Sequence, residues 1–267
     1  MSFQYKALDL TDKEIFKISE LLSYVYKDSH KFNFKYLDWL YRENPEGNAI
    51  GYNAYTSDNT LVAHYAVIPI KVKLFGKVTR CLLSLNTATA PEAQGKGLFK
   101  KLANMSYADG KNLGFEAVIG VPNTNSTHGF IHSLGFTLVS QLDVRLSFGL
   151  PNIKKEDHEI DLKYFYDEEN INWRLSNPNR LYYSRSNQDS SLIFADIGFP
   201  LRVILSITHI DEFFRQTNLS DKGSFRLFLW IGKGENFNWD GVMNIPIPKI
   251  LRPSPLNFIF KDLTKER

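Results

Sequence analysis

Gln94-Gly95-Lys96-Gly97-Leu98-Phe99 is the stretch of this sequence whose residue types and spacing suit a definite chemistry. It lies where an apolar strand pattern gives way to helical spacing. At such a junction the first helical N–H groups are unpaired and the helix dipole is positive, so a phosphate binds there readily. Glycines leave the backbone open to an approaching anion, and Lys96 and Lys100 add local positive charge. Two other groups invite a chemical reading. His64, inside Leu61-Val62-Ala63-His64-Tyr65-Ala66-Val67, carries an imidazole that titrates near neutrality and suits a general base, although a core histidine with satisfied hydrogen bonds fits the same position. His128 and His132 stand four apart, a spacing that suits metal ligation, but no acidic or cysteine partner accompanies them, so a surface pair is favoured and no metal is expected.

These residues need a scaffold, and the periodicities predict one. Residues 11 to 27 show a capping-type start followed by Ile15, Ile18, Leu21, Leu22 and Val25 at helical spacing. A second short helix is expected over Phe34 to Tyr41, ended by Asn44-Pro45-Glu46-Gly47. The period then changes to that of strands over 52–56, 61–75 and 78–89, with turns at Ser57-Asp58-Asn59 and Gly76-Lys77, which reads as an antiparallel meander. Beyond the glycine pair, Leu98, Leu102, Met105 and Ala108 recur at helical spacing until Gly114. A short strand at Ala117–Val121 follows, then a helix of about eight residues closed by Gly135 and capped by Asn125 and Ser126, then one strand over 136–148.

The bulk numbers bound the possibilities. With 267 residues the chain has room for two ordinary domains. A hydrophobic fraction of 43% and a charged fraction of 23% suit a globular protein, and a net charge of +3 with scattered Lys and Arg argues against a nucleic-acid binder. No leader pattern opens the chain and no apolar run approaches the ~18 residues of a membrane span, so a cytoplasmic location without membrane attachment is expected. The single cysteine, Cys81, cannot make an internal disulfide and reads as a buried strand thiol in a reducing compartment.

A dinucleotide fold would require a parallel strand before the turn and a third glycine, and a Walker loop would require Gly-Lys-Ser/Thr; both are missing. The stretch Thr87 to Leu98 instead resembles the GNAT superfamily of acyl-CoA N-acyltransferases, whose pattern is Gln/Arg-x-x-Gly-x-Gly/Ala. Gln94 and Gly97 match, while Phe99 replaces the final small residue. Phe130-Ile131-His132-Ser133-Leu134-Gly135-Phe136, preceded by Asn123-Thr124-Asn125, resembles the family's Leu-Tyr-x-x-Leu-Gly-Phe helix end, so the resemblance covers residues 1 to 148.

That resemblance implies an α/β (α+β) fold with a mostly antiparallel mixed sheet flanked by helices, and acetyl-CoA or a short hydroxyacyl-CoA as co-substrate. It implies a cofactor site at Ala88, Thr89, Gln94, Gly95, Lys96, Gly97, Leu98, Phe99, Asn123 and Asn125. It also implies a strand that splays from its neighbour before the turn, a backbone oxyanion hole, and direct attack by an acceptor amine. The family's acidic base falls on Leu85 and Asn86, and its thiolate-protonating tyrosine falls on Ile131. Asn86 and His64 are therefore the candidates to hold or deprotonate the amine, and His132 the candidate proton donor.

The charged run Lys154-Lys155-Glu156-Asp157 past Pro151 suggests two domains, 1–150 and 151–267, the second smaller and mixed. Strands are expected there at Ser191–Ile197, Leu201–Ile207 and Phe225–Ile231, and a short helix at Ile210–Thr217. The segment Asn172-Trp173-Arg174-Leu175-Ser176-Asn177-Pro178 echoes Asp38-Trp39-Leu40-Tyr41-Arg42-Glu43-Asn44-Pro45 with a one-residue difference, which fits either a degenerate GNAT-like repeat or chance. The wording of Tyr36–Pro45 and Leu83–Thr89 is similar to family members of bacterial surface-polysaccharide synthesis. The acceptor this implies is the amine of a nucleotide-linked (dTDP-type) amino-deoxysugar, with Arg42 as a candidate contact to its diphosphate. An antibiotic or peptide amine, or a silent acyl-CoA sensor, are the competing readings.

Overall fold

The computed structural model describes residues 2–149, 152–153, 162–165, 167–186, 190–209, 227–232, 237–238, 241–252 and 254–265. The expected helix at Ile210–Thr217 and the charged run at 154–157 lie outside them. In chain order the elements are β1 (Gln4–Ala7), α1 (Asp12–Tyr26), α2 (Phe34–Tyr41), β2 (Ile50–Tyr55), β3 (Leu61–Leu74), β4 (Lys77–Thr89), α3 (Leu98–Asn112), β5 (Ala117–Gly120), α4 (Thr124–His128), β6 (Thr137–Gln141), β7 (Asp143–Ser147), β8 (Asn152–Ile153), β9 (Leu162–Tyr164) and α5 (Glu168–Leu175). Then come β10 (Tyr182–Ser186), β11 (Ser190–Gly198), β12 (Leu201–His209), β13 (Leu227–Gly232), β14 (Phe237–Asn238), β15 (Asn244–Pro246) and β16 (Asn257–Asp262). No helix among the described residues is long and apolar enough to cross a membrane.

The chain divides into two compact units. The first comprises Met1–Val139, Ile160–Asn179 and Phe258–Arg267, and its sheet runs β1-β2-β3-β4-β5-β16-β6, with β9 also paired to β3. The β2-β3-β4 meander is antiparallel, β5 is parallel to β4, and β16 is antiparallel to β5. Apolar faces of α1, α2 and α3 bury Ile15, Ile18, Leu22, Leu37, Leu98 and Leu102 in the core of this unit. At the turn into α2 the Asn33 side chain accepts the Tyr36 N–H, as an N-cap does.

The second unit comprises Ser140–Glu159 and Arg180–Asn257, with a sheet of order β10-β11-β12-β13-β7-β15. Its β10-β11-β12 run is again antiparallel, β13 is parallel to β12, and β7 is antiparallel to β13. The mixed second region expected beyond the first is therefore a second sheet, in which β10-β11-β12-β13-β7 repeats the relative directions of β2-β3-β4-β5-β16. The division expected at residue 150 differs from this partition. The segment read as one strand over 136–148 is two strands that enter different sheets, broken at Leu142, whose N–H bonds Leu256 O at 3.0 Å. β16 returns from the end of the chain to fill the place between β5 and β6, with Ile259 fully buried opposite Gly120.

The echoed tryptophans meet inside the first unit. Trp39 of α2 and Trp173 of α5 stack at 4.7 Å between ring centroids. Each indole N–H donates to the other residue's carbonyl, at 2.8 and 3.1 Å. Both helices are eight residues long with a side-chain N-cap, Asn33 and Asp167, six positions before the tryptophan.

Candidate active site

The register between β3 and β4 breaks at one place. His64 pairs with Ala88 and Ala66 with Leu85, so Asn86 and Thr87 together face Tyr65 as a bulge, and Asn86 takes φ +50°, a conformation asparagine tolerates better than most residues. β5 pairs with β4 only from Cys81↔Ala117 to Leu83↔Ile119. From Ser84 to Thr89, β4 runs on without that neighbour.

Alternation along β4 decides which of its main-chain groups face the vacated edge. Ala90 N–H bonds Val62 O of β3 at 2.8 Å, so Ala88 shares the β3 side. Thr87 and Thr89 point the other way, and their carbonyls accept from Tyr26 Oη at 2.5 Å and Gln94 Nε2 at 3.3 Å. Of the expected pair, Thr89 therefore presents its backbone at the open edge, while Ala88 is buried against β3.

The glycine turn follows at once. Gly95 and Gly97 have φ of +74° and +72°, which side chains rarely adopt, and a Cβ built at either meets no atom within 4 Å. Gly97 is the N-cap of α3 and no side chain caps it. The first intrahelical bond there is Lys101 N–H to Gly97 O, so the N–H groups of Leu98, Phe99 and Lys100 open the helix ahead of it. An uncapped helix start under open space fits a pyrophosphate. Lys96 folds back, its ammonium donating to Glu92 O at 2.9 Å, while Lys100 is exposed.

Phe99 does not fill that space. Its ring packs edge-on against Phe130 at 5.1 Å and Tyr65 at 5.9 Å, and a Cβ on Gly129 would stand 2.9 Å from it. The large residue in α3 is accommodated by a glycine just beyond α4, a pairing that the sequence pattern did not reveal.

The other expected residues are placed as follows. Asn123, expected at the cofactor, is the N-cap of α4: its Oδ1 accepts the Ser126 N–H and hydroxyl, both at 3.0 Å. That capping role was expected of Asn125 and Ser126; Asn125 is exposed on the first turn. α4 gives way to a π-helical turn, Gly129–Ser133, that carries half-buried Ile131 and exposed His132. The His128 and His132 rings lie 4.4 Å apart, and among the described residues no group of three His, Cys, Asp or Glu is arranged to hold a metal ion. Arg42 pairs with Asp12 at 2.7 Å and with Asp38, and these hydrogen bonds raise its already high pKa. Its charge is met within the first unit by these two carboxylates, with which a diphosphate would have to compete. Cys81 is buried, and desolvation pushes its thiol up to about 12.

His64 is fully buried, and desolvation lowers its pKa to about 3, so the ring is neutral at physiological pH. Its Nε2 lies 3.0 Å from the Tyr41 hydroxyl and its Nδ1 2.7 Å from Asn53 Oδ1. Asn86 reaches the same hydroxyl at 3.1 Å, so the structure joins both candidate base residues through Tyr41, which the sequence reading missed. Of the two, only half-buried Asn86 has any surface.

A family profile described as an acetyltransferase (GNAT) domain matches residues 6–139. No match is found among curated proteins. Among solved structures, a conserved protein of unknown function from Enterococcus faecalis V583, described as a probable N-acyltransferase, is 13% identical with a TM-score of 0.62, covering 98% of this chain and 73% of that one. A GCN5-related N-acetyltransferase from Kribbella flavida is 11% identical with a TM-score of 0.60, covering 97% and 72%. Eis1 from Mycobacterium abscessus is 8% identical with a TM-score of 0.61, covering 98% and 74%. At such identities the likeness speaks for the fold, which is shared across nearly the whole chain.

Proposed function

We propose, for a chain that belongs to the acetyltransferase (GNAT) family, that it moves an acyl group from acyl-CoA to the amine of a small-molecule acceptor by direct attack. The observation that carries this reading is the junction of two features: the edge of β4 that β5 leaves at Leu83, and the open glycine turn that starts α3. The bound coenzyme supplies an activated thioester, acetyl or short hydroxyacyl. The N–H groups that open α3 hold its pyrophosphate, and the Thr87 and Thr89 backbone lies along its pantetheine, where a main-chain N–H is suited to stabilise an oxyanion. Asn86 holds the incoming amine, whose nitrogen bonds the acyl carbon as the C–S bond breaks and gives up its proton to solvent. His132, next to Ile131, is the candidate to return a proton to the leaving thiolate.

The acceptor class is a finer proposal: the amine of a nucleotide-linked amino-deoxysugar. It is supported by the similarity of Tyr36–Pro45 and Leu83–Thr89 to surface-polysaccharide enzymes, and Arg42 no longer adds to that support. A second reading, an acyl-CoA sensor, draws on the sealed, neutral His64 and on an amide where the family places an acid. Release of free CoA, followed over nucleotide amino sugars, aminoglycosides and peptide amines, separates these readings. Turnover limited to nucleotide amino sugars supports the finer proposal. Tight CoA binding without turnover on any amine sinks the enzyme reading in favour of the sensor.

A further inference from the structure

A continuous line of side-chain hydrogen bonds runs through the first unit from the β4 bulge to the first turn of α1. Asn86 Nδ2 lies 3.1 Å from the Tyr41 hydroxyl, which lies 3.0 Å from His64 Nε2; His64 Nδ1 lies 2.7 Å from Asn53 Oδ1; and Asn53 Nδ2 lies 3.2 Å from Glu14 Oε1 and 3.3 Å from the Tyr55 hydroxyl. Tyr41, His64 and Asn53 are at most 1% exposed, while Glu14 and Asn86 at the two ends are half-buried.

Each middle member is ambiguous on its own. A phenol, an imidazole and a carboxamide can all donate or accept at the contacts seen here. The end of the line removes the ambiguity, because a carboxylate only accepts, and Glu14 is paired with Lys17 at 3.2 Å. Asn53 must therefore turn its amide N–H toward Glu14 and its carbonyl toward His64. The imidazole then carries its proton on Nδ1, and its bare Nε2 takes the Tyr41 hydroxyl proton. The Tyr41 oxygen is left to accept, and Asn86 meets it with Nδ2. Every donor points inward. The carbonyl oxygen of Asn86 is left with no hydrogen bond to any described residue, at the half-buried bulge.

We infer that Glu14, acting through Asn53, His64 and Tyr41, is a positioning residue that fixes the amide orientation of Asn86 and so makes the bulge present a carbonyl that accepts from an N–H or O–H donor and offers none itself. The inference deepens the proposed function, since the N–H donor on that reading is the attacking amine. His64 is thereby a polarity-setting spacer and not the base. Burial agrees with this part, because it keeps the ring neutral.

The test begins with the full-length protein and no substrate. Nitrogen-detected imidazole spectra at neutral pH are expected to show His64 as the Nδ1–H tautomer; the Nε2–H tautomer would overturn the inference whatever the enzyme acts on. Glu14→Gln keeps an acceptor oxygen and is expected to retain the tautomer and kcat/KM within about twofold. Glu14→Lys offers only donors and is expected to invert the tautomer and lower kcat/KM for the acceptor at least tenfold, with CoA affinity unchanged within twofold. An inverted tautomer with unchanged kcat/KM would refute the link to the acceptor. Should Glu14→Lys fail to fold, the wild-type spectrum still decides the orientation of the line, and Glu14→Leu, which offers neither donor nor acceptor, replaces it: an unchanged tautomer and kcat/KM in that variant would overturn the role of Glu14. If no amine is ever turned over, the proposed activity fails while the tautomer result stands by itself.

Discussion

The two sheets of this protein follow one plan and carry different chemistry. In each, three antiparallel strands are followed by a fourth strand parallel to the third, and then by a strand antiparallel to the fourth. In each, a register irregularity follows the end of the parallel pairing: after Leu83 in the first, after Ile204 in the second. The differences lie in the side chains and in the crossover. The first sheet has Gly95 and Gly97 opening α3, and a buried polar line ending at Asn86. Between β12 and β13, residues 210–226 contain a single glycine and no Gly-x-Gly. The second sheet instead buries Arg202 against Asp196 at 2.7 Å and over the Tyr183 ring at 4.4 Å. Strand order supplies an edge where β4 and β5 part, but only the glycine turn leaves an open, uncapped helix start beside it, as the proposed anion site requires.

If this contrast is right, the two sheets should respond separately to damage. Phe228→Ala in β13 removes a ring packed edge-on against Phe194 and should cost the second unit about 3–5 kcal/mol; Ile259→Ala in β16 should cost the first about 2–5 kcal/mol. Calorimetry with and without CoA checks this: CoA should raise the transition lowered by Ile259→Ala and leave the other in place. One transition that both variants lower equally would break the contrast.

Gly97→Val sharpens the functional half of the comparison. A Cβ there meets no atom within 4 Å, but φ +72° strains a valine, so the turn and the ligand should both suffer: a lower melting temperature and at least a hundredfold weaker CoA binding by titration, about 3 kcal/mol. An unchanged affinity would mean that the turn is only a helix start. The smallest effect is expected from Gly129→Ala, whose methyl group would press on Phe99; a loss of roughly 1–3 kcal/mol in thermal melts should be partly recovered by adding Phe99→Leu.

The sequence carried the first sheet well because its signals are local. The second helix lies at its expected place around Phe34–Tyr41, and the meander and α3 lie within two or three residues of theirs, since their periods and turn residues are written in consecutive positions. β1, four exposed residues, left no such signal. The switch at Leu142 was invisible for another reason: β6 and β7 read as one strand when neither partner sheet is known.

What the amino-acid sequence determined by itself is the strand-to-helix junction proposed as the donor end of the site: two glycines there need only their own backbone to open the start of the helix. What tertiary structure alone decided is the acceptor end. Glu14, Tyr41, Asn53, His64 and Asn86 come from α1, α2, β2, β3 and β4, and nothing in their spacing along the chain says that they meet. A hydrogen bond acquires its direction from its partner, so the carbonyl that Asn86 presents depends on a carboxylate held at the far end of a buried line.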